Sequence, residues 1–234
     1  MDRSAPLIDF HTHILPGADH GSSGSHETMN QMQMIQKYGV DTVVATPHFY
    51  PNLHRTDHFL PMVEDCVARL RSKEIAFTGR LCLGAEVLYC PRLDQMPNLD
   101  SLCIRGTDLL LLELPMDYLD GGIVETVDAL LKRYTVVLAH IDRYISDSAD
   151  MIATLIRHGA LAQINAYSLF VGGKRKRLAP FLESECVVAL GSDLHGLDEK
   201  SYKKFATADK KIGDLRDRIM GRAERLLQTA ESIL

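Results

Sequence analysis

Short apolar runs recur along the chain, and polar residues follow each of them. The runs are continuous rather than alternating, which is typical of parallel strands in a sheet that is covered on both faces. The predicted strands are residues 7–10, 42–45, 81–84, 109–112, 135–139, 160–164 and 187–190.

Segments with helical periodicity separate these runs, with apolar residues at every third or fourth position. The predicted helices are residues 27–38, 57–72, 124–133, 149–158 and 215–234. Because strand and helix alternate, we expect βα units and a parallel sheet. No glycine-rich phosphate loop follows any predicted strand, so a barrel of about seven strands is favoured over an open nucleotide-binding sheet.

Length and composition fit one such barrel. The chain has 234 residues, of which 46% are hydrophobic, enough to bury one sizeable core. No internal repeat or flexible linker divides it, so we expect a single domain over residues 1–234. The net charge of −5 argues against nucleic acid as the main partner, because binding to phosphate backbones needs an excess of Lys and Arg.

Cysteine usage and the amino terminus indicate a reducing, cytoplasmic setting. The five cysteines are odd in number and none form a Cys-x-x-Cys pair, so disulfide and zinc-finger readings find no support. The first residues lack the basic and apolar regions of a signal peptide, and no apolar stretch approaches the ~20 residues that span a bilayer.

Side chains that bind metal ions follow almost every predicted strand. His11 and His13 open the series, and alternate residues of a strand point to the same face. In a parallel barrel the carboxyl ends of the strands share one rim, so we expect the whole set to meet there. The set is His11, His13, Asp19, His20, His48, Glu86, Glu113, His140, Asp193 and His195.

So many ligand-type residues at one rim would be a heavy electrostatic burden without cations. One ion takes about four protein ligands, so the number of residues implies two or three divalent ions. Mixed imidazole and carboxylate ligands suit Mn²⁺, Fe or Zn²⁺, and no cysteine stands at a strand end.

These strand-end motifs resemble those of the PHP (polymerase and histidinol phosphatase) superfamily. The similarity is greatest to the bacterial capsule-type, metal-dependent protein-tyrosine phosphatases. The matching motifs are His11-Thr12-His13-Ile14-Leu15-Pro16-Gly17, Thr46-Pro47-His48, Gly84-Ala85-Glu86, Glu113-Leu114-Pro115, His140 with Arg143-Tyr144, Gln163-Ile164-Asn165-Ala166 and Gly191-Ser192-Asp193-Leu194-His195.

The resemblance implies a distorted (β/α)₇ barrel that binds three metal ions, with Mn²⁺ expected first and Fe or Zn²⁺ as alternatives. Glu86 would bridge the first ion to the second. The implied ligands are His11, His13, Glu86 and Asp193 for the first ion, Glu113 and His140 with Glu86 for the second, and Asp19, His48 and His195 for the third.

Three positions depart from the family pattern. The family usually has two aspartates where this chain has Asp19-His20, so either residue could bind the third ion. The family's His-Pro-Glu-Arg-Tyr is here His140-Ile141-Asp142-Arg143-Tyr144, which keeps Arg143 but loses the proline. A basic residue past the last histidine is usually arginine, and here the candidate is Lys200, which attracts phosphate without a bidentate fork.

The expected reaction is metal-assisted hydrolysis of a phosphate monoester, in which a hydroxide bridging two ions attacks phosphorus in line. Arg143, with Lys200 and Asn165, would bind the substrate. A tyrosinate leaving group, with a reference pKa of about 10, needs less proton assistance than an alkoxide. Asp142 and His20 are the candidates for a general acid, should one be needed.

The sequence argues against two alternatives to this interpretation and leaves two others open. None of the five cysteines has an arginine six residues later, which excludes a cysteine-dependent tyrosine phosphatase. An amidohydrolase of similar shape would want a strand-end lysine between its metals, and none is present. Histidinol-phosphate phosphatase, on the same scaffold, and a non-catalytic metal-binding regulatory module stay open.

The resemblance also suggests a partner, namely a phosphotyrosyl protein such as the autophosphorylating tyrosine kinase of a polysaccharide export system. The basic run at residues 174–177 is most simply a solvated helix face. It could instead dock an acidic, multiply phosphorylated tail.

Overall fold

In the part of the chain that the structure describes, nine strands, all paired in parallel, form the centre of the fold. The computed structural model describes residues 5–73, 77–116 and 122–234, so the amino-terminal residues assessed for a signal peptide lie partly outside it. The strands are β1 Ile8–Thr12, β2 Thr42–Ala45, β3 His48–Phe49, β4 Arg80–Leu83, β5 Glu86–Leu88, β6 Leu109–Glu113, β7 Thr135–Leu138, β8 Leu161–Asn165 and β9 Val187–Gly191.

Two of the predicted strands continue beyond a short break, which is why nine strands occupy seven positions. After β2 the chain passes through Thr46 and Pro47 into β3, and after β4 it passes through Gly84 and Ala85 into β5. The amide of Glu86 donates to the Pro47 carbonyl (3.1 Å), so pairing resumes past the break. Proline accepts this hydrogen bond although it has no N–H of its own to donate.

The strands form two sheets, in the orders β1-β2-β4 and β3-β5-β6-β7-β8-β9. On one side the sheets meet where β2 leads into β3 and β4 into β5. On the other side the Asp193 amide donates to the His11 carbonyl (2.9 Å) and the His13 amide to the Leu194 carbonyl (3.1 Å), which joins β1 to the end of β9. The fold is therefore the predicted parallel α/β barrel type with seven strand positions.

Helices connect the strands on the outside. They are α1 Ser25–Lys37, α2 Thr56–Arg71, α3 Gly122–Leu131, α4 Ala149–Arg157, α5 Gly172–Glu183, α6 Glu199–Ala206, α7 Asp209–Ile212 and α8 Leu215–Leu226. Short 3-10 turns cover Leu93–Gln95, Leu99–Leu102, Ile141–Arg143 and Ala166–Phe170. Within the described ranges, no helix combines the length and apolar character needed to cross a membrane.

The prediction of a last helix over residues 215–234 is wrong beyond Leu226. The apolar residues Ala230 and Ile233 are buried, but on an extended segment rather than a helix. The Ile233 amide donates to the Leu81 carbonyl (2.7 Å), so this segment covers the edge of β4. Burial against a strand therefore produced the apolar spacing that resembled a helical stripe.

Candidate metal centre

The ligand-type side chains that end the strands converge on one rim of the barrel. The ring nitrogens Nε2 of His11 and His13 lie 3.1 Å apart, because both residues occupy one face of the chain at the end of β1. Four groups of three residues place their ligand atoms within 4.8 Å of one another. The groups are His13, His48 and His195; His11, Glu86 and His140; His11, His13 and Asp193; and His48, Glu86 and Glu113.

Glu86 lies at the middle of this cluster and has no solvent exposure. Its Oε1 is 2.7 Å from His140 Nε2, and its Oε2 is 2.8 Å from His48 Nδ1. The same Oε2 is 3.3 Å from His11 Nε2 and 3.4 Å from His13 Nε2. One carboxylate thus faces four imidazoles that come from three separate segments of the chain.

Two of these atoms are left without a proper hydrogen bond. His48 Nδ1 and Glu86 Oε2 are both buried, and despite their 2.8 Å separation neither has a hydrogen-bond partner of acceptable geometry. Buried polar atoms are nearly always satisfied, so each such atom calls for an explanation. A divalent cation between imidazole and carboxylate lone pairs provides one, and the donor set fits such an ion.

Hydrogen bonds behind the cluster orient its imidazoles. His13 Nδ1 lies 2.7 Å from Asp19 Oδ2, and since an ionised carboxylate only accepts, Nδ1 carries the hydrogen. In the neutral ring Nε2 then presents its lone pair. Asp19 also accepts from the amides of His48 (3.0 Å) and Gly21 (2.8 Å). A Cβ at Gly21 would lie 2.2 Å from His13 Cβ, so only glycine fits this approach.

Asp19 is therefore engaged as the hydrogen-bond partner of His13. The family resemblance implied Asp19 as a ligand of the third ion with His48 and His195, and this stays a prediction. The candidate ligand group that contains His48 and His195 is completed by His13. His20, the other candidate, is exposed, and its ring stacks 4.8 Å from that of His48 and 4.6 Å from that of His195.

Arg143 reaches the cluster from the 3-10 turn after β7. Its Nη2 donates to Asp193 Oδ2, and its Nη1 is 3.6 Å from Glu113 Oε1. The side chain stays 34% exposed, so part of the guanidinium faces a cavity of about 350 Å³ that borders Asp193 and His195. The carboxylates hold the guanidinium at the mouth of the cluster.

Two residues of the rim have left-handed backbones. His140 has φ 31° and Asp193 has φ 53°, values that residues other than glycine rarely adopt. Such conformations cost of order 1–3 kcal/mol and concentrate at functional sites. In both cases the turn directs a ligand-type side chain into the cluster immediately after a strand.

Charge and burial perturb the titration of the cluster. Burial favours the neutral form of Glu86, yet the charges and hydrogen bonds of His11, His13 and His140 hold its pKa well below the usual range. Burial, and then the negative charge of Glu86, raise the pKa of Glu113 to about 7. Burial and the neighbouring His13 lower the pKa of His195 to about 4. Glu86 and Glu113 lie close together. Ionising both carboxylates is therefore unfavourable unless cations lie between them.

A family model described as "Capsular polysaccharide synthesis, CpsB/CapC" matches residues 7–220. The chain belongs to the CpsB/CapC family. The tyrosine-protein phosphatase CpsB of Streptococcus pneumoniae is 28% identical to it over 206 residues, covering 83% of this chain and 85% of that protein. The tyrosine-protein phosphatase YwqE of Bacillus subtilis is 26% identical, covering 84% of this chain and 80% of that protein.

Solved structures agree on the fold. A crystal structure from work on YwqE and CpsB, described as metal-dependent tyrosine phosphatases, matches with a TM-score of 0.79 at 23% identity, covering 97% of this chain and 96% of that one. An amidohydrolase from Mycoplasma synoviae matches with a TM-score of 0.55 at 11% identity, covering 96% and 88%. The CpsB/CapC chain therefore shares its fold with both structures.

Two further predicted site residues of this CpsB/CapC member, Asp142 and Lys200, lie outside the candidate ligand groups. Asp142 is 2% exposed. Its two carboxylate oxygens accept hydrogen bonds from the backbone amide of Asn165 (2.8 Å) and from the Ser168 hydroxyl. It holds the turn after β8, and its engaged oxygens make it a poor proton donor. Lys200 is exposed on α6 and does not line the cavity beside Arg143.

Sequence reasoning missed two residues of this site. Lys174, at the start of α5, lines the cavity with Arg143, although it stands within the basic run for which a solvated face was expected. Gln163 lies behind His11, with Oε1 3.3 Å from His11 Nδ1. Its position in the Gln163-Ile164-Asn165-Ala166 motif was the one available signal.

Proposed function

We propose that this chain is a metal-dependent protein-tyrosine phosphatase. The observation that carries the proposal is the buried Glu86 carboxylate facing four imidazoles, with Arg143 at the open side of the cluster. Curated relatives named tyrosine-protein phosphatase match over more than four fifths of the chain, which supports the same chemistry.

The cluster has ligands for two or three divalent ions. His11, His13, Glu86 and Asp193 would hold the first, and Glu86, Glu113 and His140 the second. His48 and His195 would hold the third, with Asp19 as a ligand or as the partner of His13. Mixed imidazole and carboxylate ligands suit Mn²⁺, Fe or Zn²⁺, and the family resemblance makes Mn²⁺ the first expectation. Ions bound here would activate water as the nucleophile and neutralise charge on the phosphoryl oxygens.

Arg143 would bind the phosphate of the substrate. A guanidinium has five N–H donors in a planar fork, so donors remain for phosphate after the contacts with Asp193 and Glu113. Lys174 lines the same cavity and would add a second positive charge there. Asn165 contributes indirectly, because its Nδ2 donates to Asp193 Oδ2 (2.8 Å).

Proton transfer to the leaving group makes little demand on the site. Tyrosinate leaves with a reference pKa of about 10, which suits a site without a dedicated general acid. His20 is the better of the two candidates, since it is exposed beside His48 and His195 while Asp142 is fully hydrogen-bonded.

The substrate is proposed to be a phosphotyrosyl protein, such as an autophosphorylating tyrosine kinase of a polysaccharide export system. The CpsB/CapC family description supports a role in capsular polysaccharide synthesis. The cytoplasm is the proposed location, and one domain over residues 1–234 the proposed organisation.

Elemental analysis paired with phosphatase assays tests this proposal. The purified protein should contain divalent metal and hydrolyse a phosphotyrosyl peptide. Chelation should abolish the activity and Mn²⁺ should restore it. Thiol alkylation should leave activity intact, because no cysteine belongs to the cluster. Faster turnover of histidinol phosphate would replace this substrate assignment, and a metal-loaded protein without phosphatase activity would refute the enzyme reading.

A further inference from the structure

One buried amide connects the residues beneath the metal centre. Gln163 has no solvent exposure and lies in β8. Its Oε1 is 2.6 Å from the His140 backbone nitrogen and 3.3 Å from His11 Nδ1. Its Nε2 is 3.0 Å from Asn165 Oδ1. A single side chain therefore contacts the ends of β1, β7 and β8.

The backbone amide of His140 fixes the direction of every hydrogen bond in this network. A backbone N–H only donates, so the atom facing it must be the Gln163 carbonyl oxygen. His11 Nδ1 faces the same carbonyl oxygen. Because a carbonyl oxygen only accepts hydrogen bonds, Nδ1 must carry the hydrogen. In the neutral ring this leaves the lone pair on Nε2, the nitrogen that faces His13 and Glu86.

The other end of the amide acts on a different ligand. Since Oε1 faces His140, Gln163 Nε2 donates to Asn165 Oδ1, and this turns Asn165 Nδ2 toward Asp193. The amide orientation of Gln163 thus determines which atom of Asn165 holds the Asp193 carboxylate.

Gly191 provides the space for this arrangement. A Cβ at Gly191 would lie 2.6 Å from Gln163 Nε2 and 2.7 Å from His11 Cβ, closer than real contacts allow. The missing side chain on β9 therefore lets Gln163 and His11 pack against each other. Two independent features, a hydrogen-bond network and a steric gap, centre on the same amide.

We infer that Gln163 is a positioning residue of the metal centre, which sets the tautomer of His11 and, through Asn165, the orientation of Asp193. The inference rests on the metal centre proposed above, but not on its phosphatase activity. Partners of metal-binding histidines typically change metal affinity or activity by 10–100-fold when they are removed.

Metal affinity tests the inference with three variants. Gln163→Met removes the acceptor at similar size, Gln163→Glu keeps it, and Gln36→Met removes an amide hydrogen bond to Thr78 at a distant position. Affinity for Mn²⁺ is measured by competition with a chromophoric chelator. We expect a loss of about 10–100-fold for Gln163→Met, a smaller loss for Gln163→Glu and none for Gln36→Met. Equal affinity of Gln163→Met and the parent would overturn the inference.

The tautomer of His11 gives a readout that general destabilisation would not produce. Nitrogen-15 NMR of the metal-free parent, with the His11 signals assigned by a His11→Asn variant, distinguishes Nδ1–H from Nε2–H once the ring is neutral. The parent and Gln163→Glu should carry the hydrogen on Nδ1, whereas Gln163→Met should show a mixture. Hydrogen on Nε2 in the parent would overturn the inference even if Gln163→Met does not fold. A parent that binds neither Mn²⁺ nor Zn²⁺ would refute the metal centre and this role of Gln163 with it, whereas a parent that binds metal but hydrolyses no phosphotyrosyl peptide would refute only the phosphatase proposal.

Discussion

Glu86→Gln should remove metal and activity together. Glu86 belongs to two of the four candidate ligand groups, and its carboxylate oxygens lie 2.7 to 3.4 Å from four imidazole nitrogens. Glutamine has nearly the same shape, so the change removes the charge while it keeps the volume. No other carboxylate of the cluster contacts as many of its imidazoles.

The size of the effect follows from the charge. Two unit charges about 4 Å apart interact by about 4 kcal/mol at an effective dielectric constant of 20, and a divalent ion doubles this figure. Even if desolvation cancels half, about 4 kcal/mol remains per ion, which is roughly a thousandfold in the dissociation constant. Because Glu86 belongs to two candidate ligand groups, we expect the substitution to weaken the binding of more than one ion.

Metal content by elemental analysis and turnover of a phosphotyrosyl peptide provide the assay. Glu64→Gln is the matched control, since Glu64 is an exposed carboxylate that pairs with Arg105 away from the rim. Thermal unfolding of the metal-free variants checks that both are folded. A folded Glu86→Gln variant with full metal content and full activity would refute the central role given to this carboxylate.

Three further predictions use other features of the rim. Gly191→Ala should destabilise the protein by about 1–3 kcal/mol through overpacking against Gln163, measured by denaturant unfolding, whereas Gly173→Ala, with nothing within 4 Å of the added Cβ, should not. Burial and the charge of Glu86 raise the pKa of Glu113 to about 7, so the folded metal-free protein keeps a proton that the unfolded chain loses near pH ~4.3. This group should therefore lower stability by on the order of 1 kcal/mol per unit as pH rises between those values, a slope absent from Glu113→Gln. Lys174→Gln should raise the KM for a phosphotyrosyl peptide about two- to fivefold, as loss of a partly exposed charge is worth up to ~1 kcal/mol, while Lys200→Gln should change it less.

The strands were predictable because burial on both faces of a parallel sheet leaves continuous apolar runs. The bounds of β2 agree with the prediction, and the other main strands differ by one or two residues at one or both ends. The short strands β3 and β5 were missed, since they open with His48 and Glu86, polar residues that do not look like strand residues. The side chains of His48 and Glu86 are buried because the cluster, rather than an apolar core, surrounds them.

The composition of the site was predictable to a greater extent than its connections. Strand order places strand-end residues on one rim whatever the loops do, so the meeting of His11, Glu86 and His140 follows from topology. The roles of Asp19 and Asp142 depend on where a loop returns and which amides it presents, and no sequence period encodes this. The same limit explains why Lys200 was favoured over Lys174.

The rim contains several features that a stable fold would otherwise avoid. Left-handed backbones at His140 and Asp193, an unpartnered carboxylate oxygen on Glu86 and a raised pKa at Glu113 all disfavour the folded state. They lie together, while the surrounding strands are buried and regular. Energetically unfavourable local features that cluster in an otherwise regular fold are expected at functional sites. Divalent cations would offset each of these costs, since they neutralise the acids and occupy the lone pairs that the turns direct inward. We therefore expect the stability of the rim and its chemistry to depend on the same ions.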